Sequence, residues 1–483
     1  MRTFIFFILT ILGIAGLFST SCISDDISSS PSDILTFSRD TVNFDTVFTG
    51  AGTPTARLVV ANRAKKGIII SSIRLKNPNS NFQINVDGVS AREFHDVEIW
   101  REDSIYIFIE CLIPESSGAT PSRVEDELEF ITNGVPQSVL LEAYGQNVVR
   151  FRNKRVTDEL HLTAEMPYVV FDSLVVEPTG VLRIDPGVNL LFHEDASLIV
   201  HGRLEAKGTP EKMINFRGDR LDNVLPDISY DLLAGQWRGV SITSESYSNH
   251  LEYVDMRSTK EGLLLDSCAY NVDTPKLTLV NSWLHNSQGN VLTAYNSYIR
   301  ATGVCFSEAS NAVVEISSGK AEFLQCTFSN YYLFSAITSP IITMHCVLRE
   351  DAEAAGVPML NARFDNSIIY GMPKDFNSEE INKGDLSGTD VFFRNCSFKS
   401  EGENDDNFIN CLWDTDPLFL TVRSDYYFNY HLQPDSPVIG MGDAALLTPV
   451  SMTDINGVNR LAVSPNGQPT LGAYARPEEP QEE

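Results

Sequence analysis

Positive charge is scarce in this chain. Its 483 residues carry 36 Lys and Arg against 64 Asp and Glu, a formal net charge of −28 at pH 7. That balance argues against nucleic acid as a partner and against polyanions held by diffuse attraction. Cysteine is sparse too, at eight residues spread over the whole length. With Cys22 set aside, seven remain, and an odd, scattered set is not a disulfide framework. Long apolar runs are absent beyond the N-terminus, where Phe4 to Leu17 is too short to span a bilayer comfortably. What remains, 43% hydrophobic and 21% charged, is the composition of a folded secreted protein long enough for two or three domains.

The N-terminus supplies an address. Arg2, the apolar run and the small residues Ser19-Thr20-Ser21 before Cys22 describe an export signal over residues 1–21. The last four residues resemble a bacterial lipobox, with Ser19 where Leu is usual. The resemblance implies that Cys22 becomes an acylated N-terminus whose chains insert into outer-membrane lipid, at ~0.8 kcal/mol per buried methylene. Ile23-Ser24-Asp25-Asp26 resembles the surface-export signal of some Gram-negative lipoproteins, which implies the outer face of the outer membrane. Residues 22–33, rich in Ser and Asp, read as a solvated tether.

From 34 to 148 short strands recur every ten to fifteen residues between turn residues, the rhythm of an antiparallel sandwich. In "SIYIFIE", Ile105, Ile107 and Ile109 alternate with Tyr106, Phe108 and Glu110, so one face of that strand is expected inside. Phe44-Asp45-Thr46-Val47 leading to Gly50, "LVVAN" ending at Asn62, "FQI" at Phe82 and "ITNG" closed by Gly145 resemble immunoglobulin-like domains of the abnormal-spindle and hydin type. The resemblance implies a spacing or presenting role, that of a stalk. Cys111 reads as a small apolar core residue.

The stretch from 155 to 475 reads differently. Strands of three or four residues, such as Leu182-Arg183-Ile184 and Leu198-Ile199-Val200, are bounded by Gly, Pro and Asp and suit stacked coils. "IDPGV", "LIVHGRLEAKGT" and "GQWRGVSI" resemble the opening coils of right-handed parallel β-helix proteins of the pectate-lyase-like superfamily, with Gly202, Gly208 and Gly239 at sharp turns. The fold class is therefore all-β: an N-terminal immunoglobulin-like β-sandwich followed by a right-handed single-stranded parallel β-helix. Aligned by hand, the later segments place Val254, Ser282, Val304, Cys326, Cys346, Ser367 and Cys396 in one small inward column, at separations of 28, 22, 22, 20, 21 and 29 residues. Two residues on stand Met256, Leu284, Phe306, Phe328, Leu348, Ile369 and Phe398, all large and on the same face. This register makes Cys326 and Cys346 adjacent rungs, close enough to bridge but more simply free buried thiols, and turns Cys305 outward. His345, outward beside Cys346, does not chelate with it. Asn281, Asn366 and Asn395, each preceding the small column, read as turn or ladder amides. From Asp416 onward, "DPLF", Ser436-Pro437, Gly442-Asp443, "DINGVNR" and Gly472-Ala473-Tyr474 resemble the terminal segment of secreted β-helix proteins, which implies a cap over the last coil; 476–483 read as a disordered tail.

Activity is written less plainly. Hydrolases of this fold carry Asn-Thr-Asp, Gly-His-Gly and Arg-Ile-Lys motifs and lyases carry "WIDH" or "RxPxxR"; none occurs, "NVDT" at Asn271 coming nearest. Acidic loops at Glu379-Glu380 and at Glu401, Asp405 and Asp406 are calcium candidates, though solvated loops account for them more simply; no other cofactor is indicated. Trp283, between inward Ser282 and Leu284, should project outward. Together with Trp237 and Trp413 it is a candidate for contact with sugar rings. The favoured reading is a non-catalytic surface lipoprotein, a β-helix rod held out by the immunoglobulin-like stalk, that binds polysaccharide or host or matrix glycan or is adhesive; the alternative is a polysaccharide lyase or glycoside hydrolase with a divergent site. The anchor can be checked alone. Cys22→Ser is expected to abolish incorporation of labelled fatty acid and to move the protein from the membrane to the soluble fraction, and retained labelling would contradict the assignment.

Overall fold

The computed structural model describes residues 26–475 apart from 116–117, 226–227, 268–272, 347–349, 352, 354–357, 379–385 and 425. Cys22, Asn271, Leu348, Glu379, Glu380 and the tail at 476–483 lie outside the described residues. The chain divides into two compact units after Asn147.

The described residues of the first unit form two sheets. One orders Leu35–Phe37, Ala56–Asn62, Ser104–Cys111, Phe82–Val86 and Val89–Ala91; the other orders Thr41–Phe48, Val135–Gln146, Ser122–Thr132, Ile68–Leu75 and Glu93–Phe94. Ile107 and Ile109 are fully buried while Tyr106 and Phe108 face solvent, as the alternation requires. They pack with Leu58, Phe82, Phe130 and Leu141 in one core, which also takes in Cys111, its thiol pushed up to about 12 by burial. One pair departs from the antiparallel expectation: Thr41–Phe48 runs parallel to Val135–Gln146.

The second unit is a parallel β-helix, its described residues forming 25 strands in one continuous sheet. Each coil contributes to three faces. The first face stacks Ser197–Val200, Gly239–Ile242, Leu263–Leu265 and the first half of Leu292–Thr302. The second stacks Arg203–Lys207, Asn249–Glu252, Leu277–Val280 and the other half of Leu292–Thr302. The third stacks Ile214–Gly218, Val254–Thr259, Trp283–Ser287, Cys305–Ala309, Thr327–Ser329, Ile368–Ile369 and Ser397–Phe398. Gly202 shows why the early turns need glycine: a Cβ there would sit 2.2 Å from the carbonyl oxygens of Glu177 and Gly180 in the coil below.

Stacking converts sequence repeats into columns. Phe323, Phe364, Phe393 and Phe408 form an inward ladder with ring centroids 4.9, 4.5 and 5.2 Å apart and near-parallel planes. Such pairs add ~0.5–1.5 kcal/mol each beyond their area burial. The residue before the third face is a corner. Tyr253, Asn281, Gly303, Gln325, Asn366, Asn395 and Asn410 all take positive φ there, between 44° and 68°. Asn tolerates this left-handed backbone better than most residues, so Asn281, Asn366 and Asn395 are turn residues, as is Asn410.

Two expectations need correction. Cys346 is not the rung above Cys326: Thr327–Ser329 pairs with Ile368–Ile369, so Ser367 takes that place, 41 residues on. Cys346 instead follows Ile342–His345, which stacks on the first face. Both faces need an inward residue at the same phase, so the local pattern repeats without the chain having completed a coil. The six described cysteines are all unbridged. The segment from Asp416 is likewise not a lid on the last coil. Phe419, Tyr430, Leu432, Val438, Leu471, Ala473 and Tyr474 pack on Cys305 and Ile368, outward residues of the third face. Ala473 donates to Thr327 Oγ1 at 2.9 Å and Gly472 to the Asn366 carbonyl at 2.9 Å. Fully buried Arg460 ties this strap together through the carbonyls of Gly472 and Ala473, at 3.0 and 2.8 Å.

Candidate functional site

Where the strap stops covering the third face, a cleft of about 270 Å3 opens. Its floor is made of outward side chains from three successive coils. Asp255 stacks beneath Trp283, and Arg257 beneath His285, which in turn stacks beneath Ser307. The walls come from Asp231 and Leu232 of a 3-10 turn, Tyr332 to Phe334 after strand Thr327–Ser329, and Tyr426 to Phe428 at the start of the strap's strand Tyr427–Leu432. Tyr427 is 61% exposed and Phe334 42%, so both rings are open to solvent.

The floor is electrostatically ordered. Arg257 bridges two carboxylates, Asp231 and Asp255, each at 2.8 Å. Arg217 reaches the other oxygen of Asp231 at 3.2 Å. His285 Nε2 meets Asp255 Oδ1 at 3.1 Å. Burial alone would push the Asp255 carboxyl up, but the charge of Arg257 and the hydrogen bond from His285 outweigh it and hold it at about 2. Asp255 is therefore ionised at neutral pH and accepts only, so Nε2 of His285 carries a proton and neutral His285 presents an unprotonated Nδ1. The indole of Trp283 stacks on the His285 ring at 3.9 Å and 15°, and its Nε1 donates to Ser307 Oγ at 2.9 Å.

Glu308 is the unusual residue. It lines the cleft yet is only 3% exposed. Its φ of 48° places it in the left-handed region, at the corner where neighbouring coils carry Ser258 (φ 64°) and Asn286 (φ 57°). Glutamate has no local preference for that backbone, which costs of order 1–3 kcal/mol. One carboxyl oxygen, Oε1, accepts from Tyr430 of the strap; Oε2 is buried without a hydrogen-bond partner, a further ~1–3 kcal/mol. Burial pushes the acid up to about 7, with His285 and the hydroxyls of Ser307 and Tyr430 pulling the other way. A carboxylic acid thus sits beside a carboxylate–imidazole pair, the two environments setting their protonation apart.

The sequence-based candidates divide. Trp283 faces outward into the cleft. Trp237 does not: it is fully buried, stacked on Phe192 at 4.0 Å and 7°, with Nε1 donating to the Arg257 carbonyl at 2.8 Å. The glycine at position 239 interrupts the alternation, so Trp237 fills the interior and offers no surface to a sugar. Trp413 covers the last coil, stacked on Phe398 at 4.7 Å and packed on Phe408, with Gly402 lying against its ring. It closes the core end that the strap leaves open. Glu401, Asp405 and Asp406 do not converge: Asp405 accepts from the backbone of Asn407 and Phe408, and no group of three His, Cys, Asp or Glu side chains able to hold a metal is found among the described residues.

No family model matches the sequence, and no curated protein does. Among solved structures the chain is similar to a protein of unknown function from Porphyromonas gingivalis W83, at 12% identity over 26% of this chain and 51% of that one, TM-score 0.18. It is also similar to the VesB protease of Vibrio cholerae, at 9% identity over 23% and 31%, TM-score 0.17. A family 123 glycoside hydrolase from Clostridium perfringens is similar at 12% identity over 24% and 26%, TM-score 0.17. The chain spans about half or less of each of these proteins, and likeness of this extent says nothing of what it does.

Asp255, Arg257, His285 and Glu308 escaped the reading of the sequence, although three of them alternate with the inward residues that set the register. Asp255 lies between Val254 and Met256, and His285 follows Leu284. The ion pairs on the floor make one prediction. Arg257→Met removes the cation shared by two largely buried carboxylates and is expected to cost about 3 kcal/mol in urea denaturation. Arg238→Met, which breaks the exposed pair with Glu261, should cost less than about 1 kcal/mol. Equal losses would show that the floor is not buried as described.

Proposed function

We propose that this chain is a lipid-anchored surface protein of an outer membrane whose β-helix unit binds a sugar chain in the third-face cleft. The observation that carries the reading is the pairing of aromatic walls with a hydrogen-bonding floor. Trp283, Phe334, Tyr426 and Tyr427 offer ring faces, and Asp255, Arg257, His285 and Asn286 offer donors and acceptors. Sugars present just this mixture, apolar ring faces flanked by hydroxyls. At about 270 Å3 the cleft is near the lower end of small-molecule sites, ~300–1,000 Å3, and suits a short stretch of polysaccharide or matrix glycan.

The lipid anchor rests on Ser19-Thr20-Ser21-Cys22, and surface exposure on the Ser-Asp-Asp that follows Ile23. The two-sheet unit, read as immunoglobulin-like from its sequence, lies between tether and β-helix along the chain, where a spacer belongs. The net charge of −28 disfavours acidic glycans held by diffuse attraction.

Glycan-array screening of the soluble Cys22→Ser form should find a bound neutral saccharide. Against the best-bound array member, Trp283→Ala is expected to weaken binding about tenfold by calorimetry, ~1.4 kcal/mol. Trp413→Ala should leave affinity unchanged. An array without hits, or equal affinity for Trp283→Ala, would contradict the reading.

A further inference from the structure

The cleft holds more than recognition needs. Sugar binding asks for ring faces and hydrogen bonds, and ordinary surface residues supply them. Glu308 is instead buried, set in a left-handed corner and left with one oxygen unpartnered at the cleft floor. A structural carboxylate would be paired; the neighbouring corners do without one, using Ser258 and Asn286. Beside it stands a His–Asp pair. His285 is the rung beneath Ser307, so Glu308 follows directly from the position stacked on His285. An acid and a base therefore face one space from consecutive coils.

We propose, building on the sugar-binding reading, that this cleft hydrolyses the glycosidic bond of an uncharged sugar chain, with Glu308 as proton donor and His285 as base. The bond between the anomeric carbon and the bridging oxygen breaks, its electron pair staying on the oxygen, which takes the Glu308 proton from Oε2. A water molecule forms the new bond to the anomeric carbon, and its surplus proton passes to Nδ1 of His285. Asp255 orients His285 through Nε2 and stabilises the imidazolium that results. Return of the proton to Glu308 through solvent restores the site, so one water is consumed per bond cut. Tyr430, donating to Oε1 from the strap, leaves Oε2 as the oxygen without a hydrogen-bond partner.

The charges select the substrate. Arg257, the only Lys or Arg among the described lining residues, is committed to Asp231 and Asp255. A uronate would bring its carboxylate to two others with no cation to receive it. Uncharged hexoses, pentoses and N-acetylhexosamines meet no such penalty, and β-elimination from a uronate lacks its neutralising partner here.

The test uses the soluble full-length Cys22→Ser protein. Its probes are neutral polysaccharides, read by reducing-end release, and phenyl and dinitrophenyl glycosides of hexoses, pentoses and N-acetylhexosamines, read by phenol release. Turnover is expected. Glu308→Gln should lose about a hundredfold or more on phenyl glycosides yet keep most activity on dinitrophenyl glycosides, whose leaving group needs no proton. That retained activity also shows the variant is folded. His285→Asn should lose both. Equal loss of both substrates in Glu308→Gln would overturn its role as donor, and unsaturated products would overturn hydrolysis. Binding without turnover would overturn this inference and leave the binding reading standing; neither binding nor turnover would overturn both.

Discussion

Backbone pairing between one coil and the next, in register and in parallel, is the constraint on which everything else in the β-helix rests. Each strand finds its hydrogen-bond partners one rung away, so a residue's position in its coil decides its neighbours along the whole stack. Inward, this yields the ladder Phe323, Phe364, Phe393 and Phe408. At the corner it yields seven residues at positive φ. Outward, it brings Asp255, Trp283 and Cys305 into one row and Arg257, His285 and Ser307 into the next. No one loop needs to fold around the site to assemble it.

The strap then divides that outward surface. Its apolar side covers Cys305 and Ile368, and Arg460 holds its end in place from within. Its edge supplies Tyr426 to Phe428 as a wall and Tyr430 as the partner of Glu308. The same segment thus stabilises the face and ends where the polar floor begins. Desolvation by the strap contributes to keeping Glu308 protonated near neutrality, while Asp255, deeper in charge contacts, stays ionised.

How much of this could be read from sequence depended on whether a position carries a local signal. The left-handed corner does, because few residue types tolerate it, and Asn281, Asn366 and Asn395 mark it. Small and large inward pairs do as well, but every face uses them, which is why Cys346 passed for a rung of the wrong column. The terminal segment has recognisable turns, yet nothing in "YHLQPDSPVIGMGD" specifies the surface it will cover; that is settled by which outward residues are apolar several coils away. Trp237 and Trp283 look alike in sequence, and only the break in alternation at Gly239 separates them. Glu308 had no signal, since its placement comes from a turn conformation its own residue type does not favour.

The chemistry of the cleft turns on the protonation state of Glu308. An infrared titration of the full chain, taken as the difference between the native protein and Glu308→Gln with isotope-labelled glutamate, reads that carboxyl directly. Burial of Glu308 is expected to give a protonated-acid band that persists from acid pH and disappears with a midpoint of about 7. A midpoint near the ordinary glutamate value, ~4.3, would place Glu308 in water and contradict the buried cleft described above.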